Sequence, residues 1–237
     1  MKAALFAYRS WAFDLYRALP SQARNCIVQV CSIRGAEDGV PRGAKTVDQK
    51  KISVLIPALR REKIDVLLFV GWSWMVPKEM TDEFVCVCFH PSPLPKYRGG
   101  SPIQNQIIAG EKQSAVTLFR MTNGIDDGDV FEQEQYSLDG ELWEVLERIS
   151  LAGAKAAGRM LSRFSKGDYS ARPQDGSKAT IFKRRKPEQS EITAGDISKM
   201  SARQLHDFVR ALQDPYPNAF IRCGDGRKLF ITRTRVE

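Results

Sequence analysis

The sequence predicts an α/β fold: a doubly wound, mostly parallel sheet carrying a small C-terminal helix and β-hairpin. Three observations lead there. Short apolar runs alternate with amphipathic stretches at short loop lengths, the rhythm of βαβ units. Two of the runs, within Asp65–Val70 and Phe84–Phe89, are almost wholly apolar, as strands buried on both faces are. After residue 167 the composition shifts, and Pro, Asp, Lys and Arg replace the apolar periodicity.

Lys2–Ala7 reads as the first strand. Ser10 is the expected N-cap of a helix with Trp11, Leu15 and Leu19 on one face and Pro20 just past its end. The turn between them, Tyr8-Arg9-Ser10, lacks Gly-x-Gly-x-x-Gly, so a Rossmann-type dinucleotide site is not supported. Arg9 in this turn is either a phosphate contact or a surface charge. Cys26–Cys31 is the second strand, followed by a polar loop over residues 35–50 and a helix from about Ile52 to Arg61. The third strand, Asp65–Val70, runs into Gly71-Trp-Ser-Trp-Met-Val-Pro77, whose tryptophans either pack in the core or wall a pocket. Phe84–Phe89 is the fourth strand. Pro102 opens a helix to about Ala109. Ser114–Met121 and Val130–Tyr136 are strands, and Gly140–Gly167 is a long helix striped by Leu142, Val145, Leu146, Ile149 and Ala152. The expected limits are an α/β domain over 1–167, an extended connector over 168–193 and a small subdomain over 194–237. That subdomain holds a helix over Ser201–Leu212 and a hairpin turning at Gly224-Asp-Gly226. His206, within its helix, reads as a flank residue.

At 237 residues the chain fits one sizeable core plus an appendage. No apolar run approaches the roughly 20 residues of a membrane span, so no membrane partner is expected. The amino terminus is interrupted by Arg9 too early for a signal peptide. Five cysteines without disulfide-framework spacing point to reduced thiols in a cytoplasm. Cys86-x-Cys88 is too short and solitary for a zinc site, and no metal is expected. The net charge of +8 gathers in Lys183–Lys186 and Arg227–Arg235. It suits an anionic partner such as a nucleotide, a polyglutamylated cofactor, RNA or an acidic surface, or else it is a solubilising face.

Chemistry concentrates in Cys88-Phe-His-Pro-Ser-Pro-Leu-Pro-Lys-Tyr-Arg-Gly-Gly-Ser-Pro102. His90 falls just past the fourth strand, where open parallel sheets bind ligands. Prolines fix the loop's path, and Gly99-Gly100 permits close backbone approach. An imidazole so placed, with Lys96 and Arg98 further on, is either a proton-transfer group or a histidine satisfied at a turn.

His-Pro-Ser-x-Leu-Pro-x-Tyr-Arg-Gly-Gly-Ser-Pro resembles the signature loop of the folate-dependent formyltransferases. Val116–Val130, containing Gly-Ile-Asp126-Asp-Gly-Asp, resembles the stretch that carries that family's aspartate, and Asp126 follows His90 by the family's 36 residues. Pro173-Gln-Asp and Asp214-Pro-Tyr-Pro-Asn-Ala-Phe220 extend the likeness. The resemblance implies a Rossmann-like fold, with N10-formyltetrahydrofolate as co-substrate and His90 and Asp126 as catalytic residues. It also implies cofactor contacts from Trp74, Met75, Val76, Gly124, Ile125 and Asp129. The family's third catalytic position, an asparagine two residues before the histidine, is Cys88 here, and a thiol is a weak hydrogen-bond donor. Three readings stay open: His90 stabilises the oxyanion without it, the protein is slow or inactive, or Cys88 acts covalently.

The loop does not read as that of the glycinamide ribonucleotide branch. The sugar N-formyltransferases of surface-polysaccharide pathways resemble the chain best in length and through Ser92–Gln104. The first expectation is therefore a nucleotide-linked 4-amino-4,6-dideoxy sugar as acceptor. Arg9, Ser92, Lys96, Arg98, Gly100 and Gln104 are the expected sugar-side contacts; no nucleic-acid partner is expected, and a homodimer is implied. The alternatives are a methionyl-tRNA formyltransferase-like enzyme, a formyltetrahydrofolate hydrolase, and a weakly active folate-binding homologue.

Overall fold

The computed structural model describes residues 1–237. Its sheet is built from β1 (Ala3–Ala7), β2 (Ile27–Ile33), β3 (Lys45–Val47), β4 (Val66–Val70), β5 (Val85–His90), β7 (Gln113–Arg120) and β8 (Val130–Ser137); β6 (Arg98–Gly99) lies outside it. The order is β3-β2-β1-β4-β5-β7-β8, parallel from β3 to β5 and antiparallel across β5-β7-β8. The expected doubly wound, mostly parallel sheet is therefore present. The chain winds outward from β1 to β3, then returns to β4 on the other side of β1. Ligands in such sheets bind beyond the carboxyl ends of the strands, near this reversal.

Both faces of the sheet are covered, which is why β1 and β4 are buried along their whole length. One face packs on α1 (Ser10–Ala18), α2 (Ser21–Cys26) and the long α6 (Leu142–Phe164). The other packs on a 3-10 turn over Ile52–Leu55, α3 (Ile56–Arg61) and α4 (Lys78–Glu83). Strand alternation sends Val87 and Phe89 of β5 to the α6 side and Cys86 to the other. α6 comes close because Gly153 has no side chain: a Cβ there would lie 2.4 Å from Leu15 and 2.6 Å from the Phe89 ring. The strand that carries His90 is thus seated tightly.

Several elements differ from the sequence reading. β3 forms inside the polar loop, and the helix expected from Ile52 is split by the 3-10 turn. Ser10 is not the N-cap. Arg9 holds that position, and the helix start is capped from a distance by Glu37, which accepts from the Ser10 N–H at 2.9 Å and from its hydroxyl at 3.2 Å. The long helix begins two residues after Gly140 and ends at Phe164.

The connector is not free chain. Arg172 bridges to Val130. β9 (Ile181–Phe182) pairs in parallel with β6, reaching back across more than 80 residues. Beyond it come α7 (Ala194–Lys199), which buries no residue, and then α8 (Ala202–Ala211) and the hairpin β10 (Ala219–Arg222)–β11 (Lys228–Ile231), which enclose a small core of Ile192, Val209, Leu212 and Ala219. The appendage is tied to the sheet domain by a buried pair. Arg210, 2% exposed, binds Asp207 at 2.6 Å and donates to the carbonyls of Leu138 and Gly140. α5 (Pro102–Ile108) packs between that appendage and the His90 loop. No helix is long and apolar enough to cross a membrane.

Candidate active site

His90 is the last residue of β5, paired to Thr117 on β7. Its ring is held at both nitrogens. Nε2 lies 2.8 Å from the Tyr97 carbonyl oxygen, and a carbonyl can only accept, so the ring hydrogen is assigned to Nε2. Nδ1 then faces Asp126 Oδ2 at 3.5 Å, beyond ordinary hydrogen-bond length but within ion-pair range. The two side chains are 8% and 21% exposed, enough shielding to strengthen their interaction while one edge stays open.

Asp126 is fixed in turn. Its Oδ2 accepts the Gly99 N–H at 2.7 Å, and its backbone sits at φ +49, in the left-handed region. Gly99 itself has φ +88, and a Cβ there would lie 2.3 Å from the Phe182 carbonyl oxygen. Only glycine lets β6 meet β9 while turning its N–H toward Asp126. The His90 loop is braced from below by Thr117, whose hydroxyl donates to the Ser92 carbonyl at 2.7 Å. Tyr97 stacks on Phe182 with centroids 5.3 Å apart, and its N–H donates to Thr180.

Cys88 shares the strand face of Cys86 and His90. It is part-buried, and its thiol packs against Leu94, Phe119 and Val130. Its only hydrogen-bond contact is the Phe89 carbonyl at 3.8 Å. Burial pushes the thiol well above its ordinary pKa, and Asp126 and Cys86 add to the shift. This is the environment of an inert thiol, since the thiolate is the nucleophile.

An aromatic group lines the reversal between β1 and β4. Phe6, Tyr8, Phe69, Trp72 and Trp74 stack or meet edge-on at 4.7 to 6.4 Å. The Trp72 indole N–H is buried and has no partner. Met75 is 80% exposed and Ile125 60%, two large apolar side chains left in the open. Two shallow surface cavities lie away from all of this. One, about 410 Å³, is lined by Arg60, Asp65 and Val85 at the opposite ends of β4 and β5; the other, about 340 Å³, lies beside Trp143 and Gln213.

A strand-end histidine faces an aspartate across a double-glycine loop, within this strand order. The sequence profile of the formyl transferase family matches residues 26–162. The chain belongs to that family. Among curated formyl transferases, a methionyl-tRNA formyltransferase of Protochlamydia amoebophila is 32% identical over 76% of this chain and 57% of its own length. The chain spans about three fifths of the length of the first such relatives it matches. Of solved structures, a methionyl-tRNA formyltransferase from Clostridium thermocellum is 27% identical, with a TM-score of 0.74, over all of this chain and 94% of that one. A likely sugar N-formyltransferase from Mycobacterium tuberculosis is 21% identical with a TM-score of 0.79, over all of this chain and 97% of that one, and shares the fold.

The residues expected from the sequence fall into three groups. His90, Asp126 and Cys88 come together, as do Trp74 and Met75 at the end of β4. Val76 sends its side chain into the core, so only its backbone is open to a ligand. Gly124, Ile125 and Asp129 lie on the exposed β7–β8 loop that also carries Asp126.

Of the expected acceptor contacts, three have internal roles instead. Ser92 is fully buried and donates to the Lys96 carbonyl, because the loop's own turn needs that donor. Arg98 is buried and held by Gln174. Gly100 lies under the Arg184 backbone, where a Cβ would meet atoms at 2.3 Å. Lys96 remains exposed. Arg9 is ion-paired to Glu37 at 2.5 Å and lies over the Tyr8 ring. Gln104 is buried beside the Tyr216 hydroxyl, whose pKa is raised chiefly by burial. Sequence reasoning missed Glu37, Tyr216, Thr117 and Gln174. Thr117, Gln174 and Tyr216 each lie in a stretch that carried the resemblance, but nothing there marked them out from their neighbours.

Proposed function

We propose that the protein is an enzyme that transfers a formyl group from N10-formyltetrahydrofolate to a primary amine. The observation that carries this reading is the His90–Asp126 pair, in the formyl transferase fold, with one ring nitrogen of His90 committed to a carbonyl and the other turned to the carboxylate. The chain fits the folate. The exposed Met75 and Ile125 and the unpartnered Trp72 N–H offer apolar cover and one donor for a heteroaromatic ring. Trp74 and the Gly124–Ile125 backbone would complete its holding. When bound, the folate supplies the formyl carbon.

The chain's own residues supply the rest. An acceptor ammonium has to lose a proton before it can attack, and Nδ1 of His90 is the free basic position. A proton taken up there sits between the ring and Asp126, which holds the imidazole's orientation as a triad carboxylate does. Cys88 adds only a weak donor for an oxyanion, so the stabilisation comes from the positive charge of the protonated His90 ring, whose two N–H groups face Tyr97 and Asp126.

The sequence relatives support a methionyl-tRNA acceptor. A second reading, the nucleotide-linked 4-amino sugar, is favoured by the grouping of the polar side chains of Arg9, Gln104 and Tyr216, which suits a polar acceptor. The test is tetrahydrofolate release from N10-formyltetrahydrofolate with initiator methionyl-tRNA and a panel of nucleotide-linked 4-amino sugars. Amine-dependent turnover that disappears in His90→Ala is expected. Formate release without any amine would replace the transferase with a hydrolase.

A further inference from the structure

We infer that Gln174, in the connector, is a positioning residue that sets Asp126 against His90; the inference rests on the formyl-transfer reading given above. The carboxamide of Gln174 uses its whole hydrogen-bonding capacity on the two loops of the site. Nε2 donates to the Asp126 carbonyl at 2.9 Å and to the Gly128 carbonyl at 2.7 Å. Oε1 accepts from Arg98 Nη2 at 2.7 Å and from Nε at 3.2 Å. Two donors and two acceptor positions are filled, and neither loop carries a substitute for them.

Asp126 needs such a hold. A non-glycine residue at φ +49 leaves that region unless its surroundings fix it. Gln174 grips the carbonyls of residues 126 and 128, on either side of the turn, and so fixes the backbone from which the carboxylate projects. The same amide holds Arg98, whose neighbour Gly99 donates its N–H to the Asp126 carboxylate. One side chain therefore sets both the origin of the carboxylate and the donor that aims it. The 3.5 Å separation from His90 Nδ1 follows from these two restraints. Gln174 touches neither His90 nor any position open to substrate, so its effect is transmitted through Asp126.

The experiment uses the full chain labelled with ¹⁵N-histidine. Only two histidines are present, and His206 is bonded to Thr234 in the appendage, so it serves as the internal reference. Gln174→Glu keeps the acceptor for Arg98 and removes both donors to the carbonyls; Gln174→Ala removes everything. In both variants the His90 Nδ1 resonance is expected to move while those of His206 stay. A displacement of about 1 Å at a catalytic group costs on the order of 100-fold, so kcat is expected to fall 10- to 100-fold with both KM values within about threefold. Asp126→Asn combined with Gln174→Glu should lose little more than Asp126→Asn alone.

A folded Gln174→Glu protein with an unmoved His90 resonance overturns the inference, whether or not any acceptor is found. A fall in kcat that only tracks the fraction of folded protein overturns it too. Absence of formyl transfer in the parent protein, with the His90 resonance still moved by Gln174→Glu, would refute the proposed reaction and leave the positioning role standing.

Discussion

Replacing Cys88 by asparagine is expected to make the enzyme faster. Cys88 stands two residues before His90 on the same face of β5, and its thiol has no hydrogen-bond partner closer than 3.8 Å. An asparagine would bring an amide N–H to this edge. A well-aimed oxyanion donor is worth about 100- to 1,000-fold in kcat. Here the gain is smaller, because the side chain leaves against Leu94, Phe119 and Val130 and the amide must turn away from them to the open edge. We expect a rise in kcat of about 10- to 100-fold, or about 1.4 to 2.7 kcal/mol off the barrier, with KM for both substrates little changed. The same crowding should lower stability by about 1 kcal/mol. Steady-state rates of tetrahydrofolate release, paired with thermal melts, separate the two effects. Unchanged kcat in a folded Cys88→Asn protein would show that His90 needs no second donor, and the oxyanion argument would fall.

Arg210→Met should destabilise the protein by about 3 kcal/mol, read from urea midpoints; the cost stays at the low end for a broken buried pair because Arg203 still reaches Asp207 at 3.2 Å. Gly99→Ala should drop kcat more than tenfold, since its Cβ would collide with the Phe182 carbonyl and pull the 99 N–H from Asp126; a kcat within twofold of the parent contradicts this. Alkaline stability should follow the buried thiols. Burial pushes Cys31 up to about 11 and Cys86 to about 12. In the unfolded chain they ionise near about 8.5, so stability is untouched below that pH. As pH rises further, the unfolded state releases protons that the fold retains, costing up to about 2 kcal/mol per thiol by about pH 10.5. The fall in urea midpoint between pH 8 and 10.5 should be shallower in Cys31→Ala and Cys86→Val, and equal slopes would rule the thiols out.

What the sequence made legible was whatever one buried face dictates. β1, β4 and β5 are covered on both sides, so their residues are nearly all apolar, and the α6 stripe shows which side of that helix is inward. β3 escaped notice because two of its three residues are exposed. α2 and α4 are six-residue helices with a single buried residue each, too little for a period to appear. In the site, His90 stood out through its setting at a strand end, and Asp126 through its resemblance to the family's aspartate stretch. Ser92 and Arg98 looked available to a substrate because polar groups in a strand-end loop usually are, yet three-dimensional packing gave them internal partners. The role of Gln174, though its motif was noticed, was hidden for a deeper reason. Its partners include backbone carbonyls more than 40 residues earlier, and a carbonyl leaves no mark in a sequence.

The pairing of β6 with β9 separates the order of synthesis from the order of completion. His90 and Asp126 leave the ribosome well before Ile181 and Phe182, yet the loop joining them closes only when that later strand returns. Closing so long a loop has an entropic cost that grows only slowly with its length, but it cannot occur before the chain exists. A nascent chain can therefore settle its sheet through β8 and α6 while its histidine and aspartate are still unaligned. On the proposed function, the site is complete only with the return of a strand two residues long.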